Sequence, residues 1–86
     1  MAKYRVEVSA TAERQIRKLQ RQDQVRVLRA VSALASEPRP RGIRKLAGYE
    51  DLWRIRVGVL RVIYSIADRR LVIVVLKVGH RKDMYR

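Results

Sequence analysis

The stretch Leu52-Trp53-Arg54-Ile55-Arg56-Val57-Gly58-Val59-Leu60-Arg61-Val62-Ile63-Tyr64-Ser65-Ile66-Ala67 decides the fold, because its side chains alternate on both sides of a glycine turn. Glycine at the first of two central positions suits a two-residue type II′ hairpin, whose backbone twist matches that of the flanking strands. Such a turn sets Val57 opposite Leu60, Arg56 opposite Arg61, Ile55 opposite Val62 and Arg54 opposite Ile63. Residues directly opposite share a face of the sheet. One face then carries Trp53, Ile55, Val57, Leu60, Val62, Tyr64 and Ile66, and the other carries Arg54, Arg56 and Arg61. Three like charges on neighbouring strands cost stability unless carboxylates or a bound anion compensate. The arginine face reads as a phosphate site; the blander reading is three solvated arginines with Glu50 and Asp51 as partners.

Upstream, Tyr4 to Val8 alternates with period two, as a half-buried strand does. Ser9 or Thr11 can cap a following helix with Ala12, Ile16 and Leu19 on one stripe and Arg14, Arg17, Lys18 and Arg21 facing outward. Asp23 can cap a second helix that buries Val27, Leu28, Val31, Leu34 and Ala35 and ends at Pro38. Pro38 to Gly48 holds both prolines and two of the four glycines and shows neither period, so it reads as a basic surface loop. Downstream, Leu71 to Val78 is almost wholly apolar, which predicts a central strand covered on both faces. The expected fold is α+β in the order β-α-α-β-β-β: an N-terminal strand, then an antiparallel helix hairpin packed on a mainly antiparallel sheet. Residues 1–86 form one domain, since a chain of this length has apolar material for one core.

Composition narrows the function. Lys and Arg number 21 against 8 Asp and Glu, a formal charge of +13, and most of the excess is arginine. Such a charge steers association with polyanions, and the guanidinium fork matches phosphate oxygens. RNA, DNA or a ribosome is the first partner to consider, and an acidic neutralising protein the second. The loop cations Arg39, Arg41, Arg44 and Lys45, with Lys77 and Lys82 around the last strand, are candidate RNA- or ribosome-binding residues. Without cysteine there is no disulfide framework, and a single histidine argues against a zinc site; no metal or cofactor is expected. The longest apolar run, Leu71 to Leu76, is far below the ~20 residues of a membrane span, so a cytoplasmic protein with no membrane partner is expected.

The chain closes on Gly79-His80-Arg81-Lys82-Asp83-Met84-Tyr85 before Arg86. Glycine after a buried strand lets the backbone leave the sheet, and a strand end beside an arginine face is where reactive groups can converge. His80 and Tyr85 can both exchange protons, although a terminal tyrosine or a strand-end histidine is more often structural than catalytic. The chemistry such a group can support is cleavage of RNA by its own 2′-hydroxyl. That reaction needs a base for the hydroxyl, an acid for the leaving 5′-oxygen and cations for the crowded phosphate. Arginine supplies the cations and is a poor base. A tyrosine surrounded by guanidinium groups, or a histidine, can accept the proton.

Taken together, Lys45-Leu46-Ala47-Gly48, Leu52-Trp53-Arg54-Ile55-Arg56, Leu60-Arg61-Val62-Ile63-Tyr64 and Val78-Gly79-His80-Arg81-Lys82-Asp83-Met84-Tyr85 resemble the RelE/ParE toxin superfamily, and more closely its RelE branch. The resemblance runs over essentially the whole chain. It implies the RelE-like microbial RNase fold and an enzyme: a type II toxin that is a ribosome-dependent endoribonuclease, or mRNA interferase, cutting message in the ribosomal A site. It further implies that Arg54, Arg56 and Arg61 align the substrate and stabilise its charge, that Arg81 serves the leaving group, and that Tyr85 acts as base or stacks on a base. Members often carry lysine where this chain has Arg54 and Arg56, so only an electrostatic role transfers. The implied partners are mRNA, the ribosome with its 16S rRNA, and an acidic RelB-like antitoxin through which alone operator DNA is engaged. Arg14, Arg17 and Lys18 would rim the antitoxin contact on the exposed side of the helices. The rival readings are a ParE-like inhibitor of DNA gyrase, a non-catalytic RNA- or ribosome-binding homologue, and a toxin that has lost activity.

Overall fold

The structure, a computed structural model, describes residues 3–80. Strand β1 (Arg5–Val8) leads into helix α1 (Ala10–Arg17) and helix α2 (Arg21–Ala33). Strands β2 (Arg44–Lys45), β3 (Leu52–Val57), β4 (Leu60–Ala67) and β5 (Val72–His80) follow. The five strands form one sheet in the order β1-β5-β4-β3-β2, parallel only between β1 and β5.

The hairpin has the predicted register: Arg54 pairs with Ile63, Ile55 with Val62, Arg56 with Arg61 and Val57 with Leu60. Gly58 turns the chain at φ +62°, and Val59 stays outside the left-handed region, as a type II′ turn requires. Period-two alternation then delivers Leu60, Val62, Tyr64 and Ile66 to the core, with Trp53, Ile55 and Val57 packed beside them. Ile73, Val75 and Val78 of β5 and Ala12, Ile16, Val27, Val31 and Leu34 of the helices complete that core. Both helices thus cover a single face of the sheet.

Ser9 caps α1 by accepting from the Ala12 amide at 3.1 Å, and its hydroxyl donates to the Leu76 carbonyl at 3.1 Å. Gln15 accepts from the Val78 amide at 2.7 Å. These contacts occupy the outer edge of β5 where β1 has ended, and so fix α1 against the strand that leads to His80. The tight helix-to-helix turn is closed by Gln24, whose amide nitrogen donates to the carbonyls of Ile16, Arg17 and Leu19 at 3.1–3.2 Å.

Four expectations require correction. The segment read as pure loop contains β2, too short to show a period, which pairs Arg44 with Arg54 and Lys45 with Trp53. Helix α2 begins at Gln20 as N-cap, so Asp23 lies inside the first turn, where its charge favours the helix dipole without capping it. The same helix ends at Ala33, before Pro38, and leaves Leu28 51% exposed. Strand β5 is interior to the sheet but covered on one face: Ile73, Val75 and Val78 are buried, whereas Val72, Val74 and Leu76 are half-buried and Lys77 is exposed. The middle strand is β4.

Candidate anion site on the open sheet face

The face turned away from the helices is a grid of cations. Strand pairing lines up Arg44, Arg54, Ile63 and Lys77 across β2, β3, β4 and β5. One alternation further along, Arg56, Arg61 and Gly79 form a second row. Neighbours in such a grid stand roughly 5 Å apart across strands and roughly 7 Å along them. Arg44 opposite Arg54 and Arg56 opposite Arg61 are like-charged pairs, each costing on the order of 1 kcal/mol. Arg61 lies within the sheet at 6% exposure, Arg54 is half-buried, and Arg56 reaches solvent.

Two depressions open on this face. One, of about 380 Å³, is walled among the described residues by Arg41, Arg44, Arg54, Arg56 and Arg61 with Gly42 and Ile55. The other, of about 850 Å³, shares Arg44 and Arg54 with the first and has an apolar floor that includes Leu46, Leu52, Ile63 and Leu76. Thr11, Lys45, Tyr49 and Lys77 also border it. The residues of β5 after Leu76 shift phase, because a bulge between Ile63 and Tyr64 of β4 pairs Ile63 with Lys77 but Tyr64 with Val75. The bulge turns Lys77 to the cationic face while Val75 and Val78 stay in the core. Among the described residues, Arg41, Arg44 and Arg56 make no ion pair.

The sequence-derived site residues are therefore distributed as follows. Arg54, Arg56 and Arg61 come together, joined by Arg41 from the loop and Arg44 from β2, with Lys77 and Lys45 at the larger groove. Arg39 does not join them. Its guanidinium is held by Asp68 through a two-point contact of 2.9 and 3.0 Å and lies 5.3 Å from the ring centre of Trp53. Trp53 packs against the core, so Arg39 belongs to the opposite side of the sheet and is an anchoring residue. His80 pairs with Leu60, which sets it in register with the core side and not with Arg61, whose neighbour is Gly79. Arg81, Lys82 and Tyr85 lie outside the described residues.

Sequence reading missed the partners of the Arg39 anchor. Tyr4 donates to Asp68 Oδ1 at 2.7 Å, and the Tyr64 hydroxyl donates to the Pro38 carbonyl at 2.9 Å. Arg39 and Tyr4 hold the Asp68 carboxyl down at about 2, against 3.8 for an ordinary aspartate. Burial pushes the Tyr64 phenol up to about 12, the charge of Arg39 opposing it. No signal in the sequence links positions 4, 39 and 68. The apolar floor was signalled weakly, by Leu46 in the Lys-Leu-x-Gly segment and by Leu52 at the head of the hairpin.

Fold and site together define a small basic α+β domain that covers one sheet face with helices and gathers arginine and lysine side chains on the other. The sequence model of the ParE toxin of type II toxin–antitoxin systems matches residues 6–85. The toxin–antitoxin complex RelE–RelB of the archaeon Pyrococcus horikoshii contains a chain of similar structure, with a TM-score of 0.82 and 34% identity over 92% of this chain and 96% of that one. A chain of the RelBE2 complex of Mycobacterium tuberculosis matches with a TM-score of 0.82 and 29% identity, over 93% of this chain and 100% of that one. A chain of the Escherichia coli RelBE complex shares the fold at a TM-score of 0.78 and 24% identity, over 90% of this chain and 95% of that one. No curated protein sequence matches significantly. The chain belongs to the RelE/ParE toxin superfamily of type II toxin–antitoxin systems, on its RelE-type branch.

Proposed function

We propose that this toxin is an endoribonuclease that cleaves messenger RNA in the ribosomal A site. The observation that carries the reading is the cavity into which three strands and a loop bring Arg41, Arg44, Arg54, Arg56 and Arg61. A site of that kind favours a group whose negative charge grows during reaction, as phosphate charge does when a 2′-oxygen attacks phosphorus. In the proposed reaction the 2′-oxygen bonds to phosphorus as its proton leaves to a base. The bond to the 5′-oxygen breaks, that oxygen takes a proton, and a 2′,3′-cyclic phosphate remains. Arg54, Arg56 and Arg61, with Arg41 and Arg44, hold the phosphate and its developing charge. Tyr85 is the proposed base and Arg81 the proposed leaving-group donor, by resemblance to the family. His80 is the weaker candidate for proton transfer because its register takes it away from Arg61.

The proposed partners are the ribosome, which supplies an ordered message, and a RelB-like antitoxin, the partner present in the archaeal, mycobacterial and E. coli complexes. Val25 and Leu28 expose apolar surface on α2, 47% and 51% respectively, close in sequence to the outward cations of the helix hairpin. An acidic amphipathic segment complements that surface.

Primer extension on a defined message with translating ribosomes tests the reading. Cuts confined to the A-site codon that disappear with the Arg61→Ala, Arg81→Ala double variant are expected. The match to the ParE model favours one second reading, inhibition of DNA gyrase. An intact message together with inhibited gyrase supercoiling would replace the nuclease reading with that one.

A further inference from the structure

Five guanidinium groups around one cavity repel one another, and the one least supported by regular structure is Arg41. Arg54, Arg56 and Arg61 stand on long paired strands, and Arg44 begins a short one. Arg41 stands on the connection between α2 and β2, where among the described residues positions 39–42 make no backbone–backbone hydrogen bond. No regular secondary structure holds this connection where Arg41 joins the cavity. It is pinned just upstream. Tyr64, fully buried, holds the Pro38 carbonyl, and Asp68 grips both terminal nitrogens of Arg39 over the Trp53 ring. Asp68 is itself oriented by the Tyr4 hydroxyl. From Arg39 the chain needs two residues to reach Arg41, and Gly42 at φ +89° then turns it onto β2.

We propose that Tyr4, Asp68 and Arg39 form a positioning latch on the helix-bearing side of the sheet that holds Arg41 at the anion site on the other side. None of the three touches the anion. They set its binding by fixing the start of the connection that delivers Arg41. The proposal rests on reading the arginine cavity as a phosphate site.

Its sign separates it from general electrostatics. Asp68→Asn removes a negative charge from a chain of formal charge +13, which by long-range attraction strengthens binding to RNA. The latch requires the opposite. The experiment is anisotropy titration of a fluorescent 2′-O-methyl RNA hexanucleotide, which cannot be cut, onto wild type, Asp68→Asn, Arg41→Ala and the double variant at several salt concentrations. Melting curves confirm that each is folded. Asp68→Asn is expected to weaken binding by about five- to tenfold and to flatten the dependence of log K on log salt by about 0.7, the loss of one phosphate contact. Arg41→Ala should do the same, and the double variant should be no worse than either alone, since both remove one interaction. Should Asp68→Asn fail to fold, Arg39→Lys keeps the charge, loses the fork and is expected to weaken binding in the same direction. Unchanged or tighter binding by the folded latch variant, or losses that add in the double variant, overturn the latch alone. A wild type that does not bind the oligonucleotide overturns the phosphate-site reading and the latch with it.

Discussion

Tyr64 shows how one side chain can serve both layers of the molecule. Its ring fills the core and its hydroxyl holds Pro38, so Tyr64→Phe keeps the packing and leaves a carbonyl without its donor. A loss of about 1 kcal/mol in denaturant unfolding is expected. The phenol ionises at about 12 in the folded protein and near 10 when unfolded, so the folded state binds its proton more tightly. Its contribution to stability is whole below pH 10 and declines as pH rises through 12. An ultraviolet difference titration of wild type against Tyr64→Phe should show that late tyrosine. Asp68 works in the other direction. Its folded value of about 2 lies below the ordinary 3.8, so its contribution is whole above about pH 4 and is lost as pH falls toward 2. Acid unfolding of Asp68→Asn should accordingly lack that part of the wild-type pH dependence. Residues such as these are the least legible in sequence. Arg39 and Asp68 are separated by 29 positions and look like any other surface charges, whereas Arg54, Arg56 and Arg61 could be assigned to one face by counting from a turn.

At the scale of elements, the hairpin was readable because a glycine fixes the register and register fixes the faces. Gly58→Ala tests this directly. A methyl there meets only the end of Arg26 at 3.7 Å, so the expected penalty of about 1–2 kcal/mol comes from the left-handed backbone and not from crowding. Thermal melting should show it. Strand β2 escaped detection because two residues cannot display a period, and its pairing is set by the partner strand. On α2 the apolar stripe read from sequence was one residue too wide: Val27 and Val31 face the core, while Leu28 faces solvent. Leu28→Glu should therefore alter stability by no more than about 0.5 kcal/mol. If α2 receives the antitoxin, the same change should weaken a co-purified complex markedly; a complex of unaltered affinity would remove α2 from that interface.

For the whole molecule, composition gave a formal charge of +13, and the sheet shows how that charge is sorted. Apolar side chains take one face with the helices, and the cations collect on the other. If all five cavity arginines meet phosphates of a single strand, log K for RNA should fall with log salt at a slope of about −3.5. A much shallower slope would mean that fewer of them engage. The fold class followed from the order of periodic segments, but the place of β1 did not, because nothing in an isolated strand says which neighbour it will choose. It pairs with β5, the latest of the described strands, which in turn pairs with β4. This topology imposes an order of assembly. Until residues 72–80 have been synthesised, the sheet lacks the strand that joins β1 to the arginine-bearing meander of β2, β3 and β4. A ribosome making this chain thus completes every arginine of the cavity before it makes Lys77 or the strand that fastens the meander to β1.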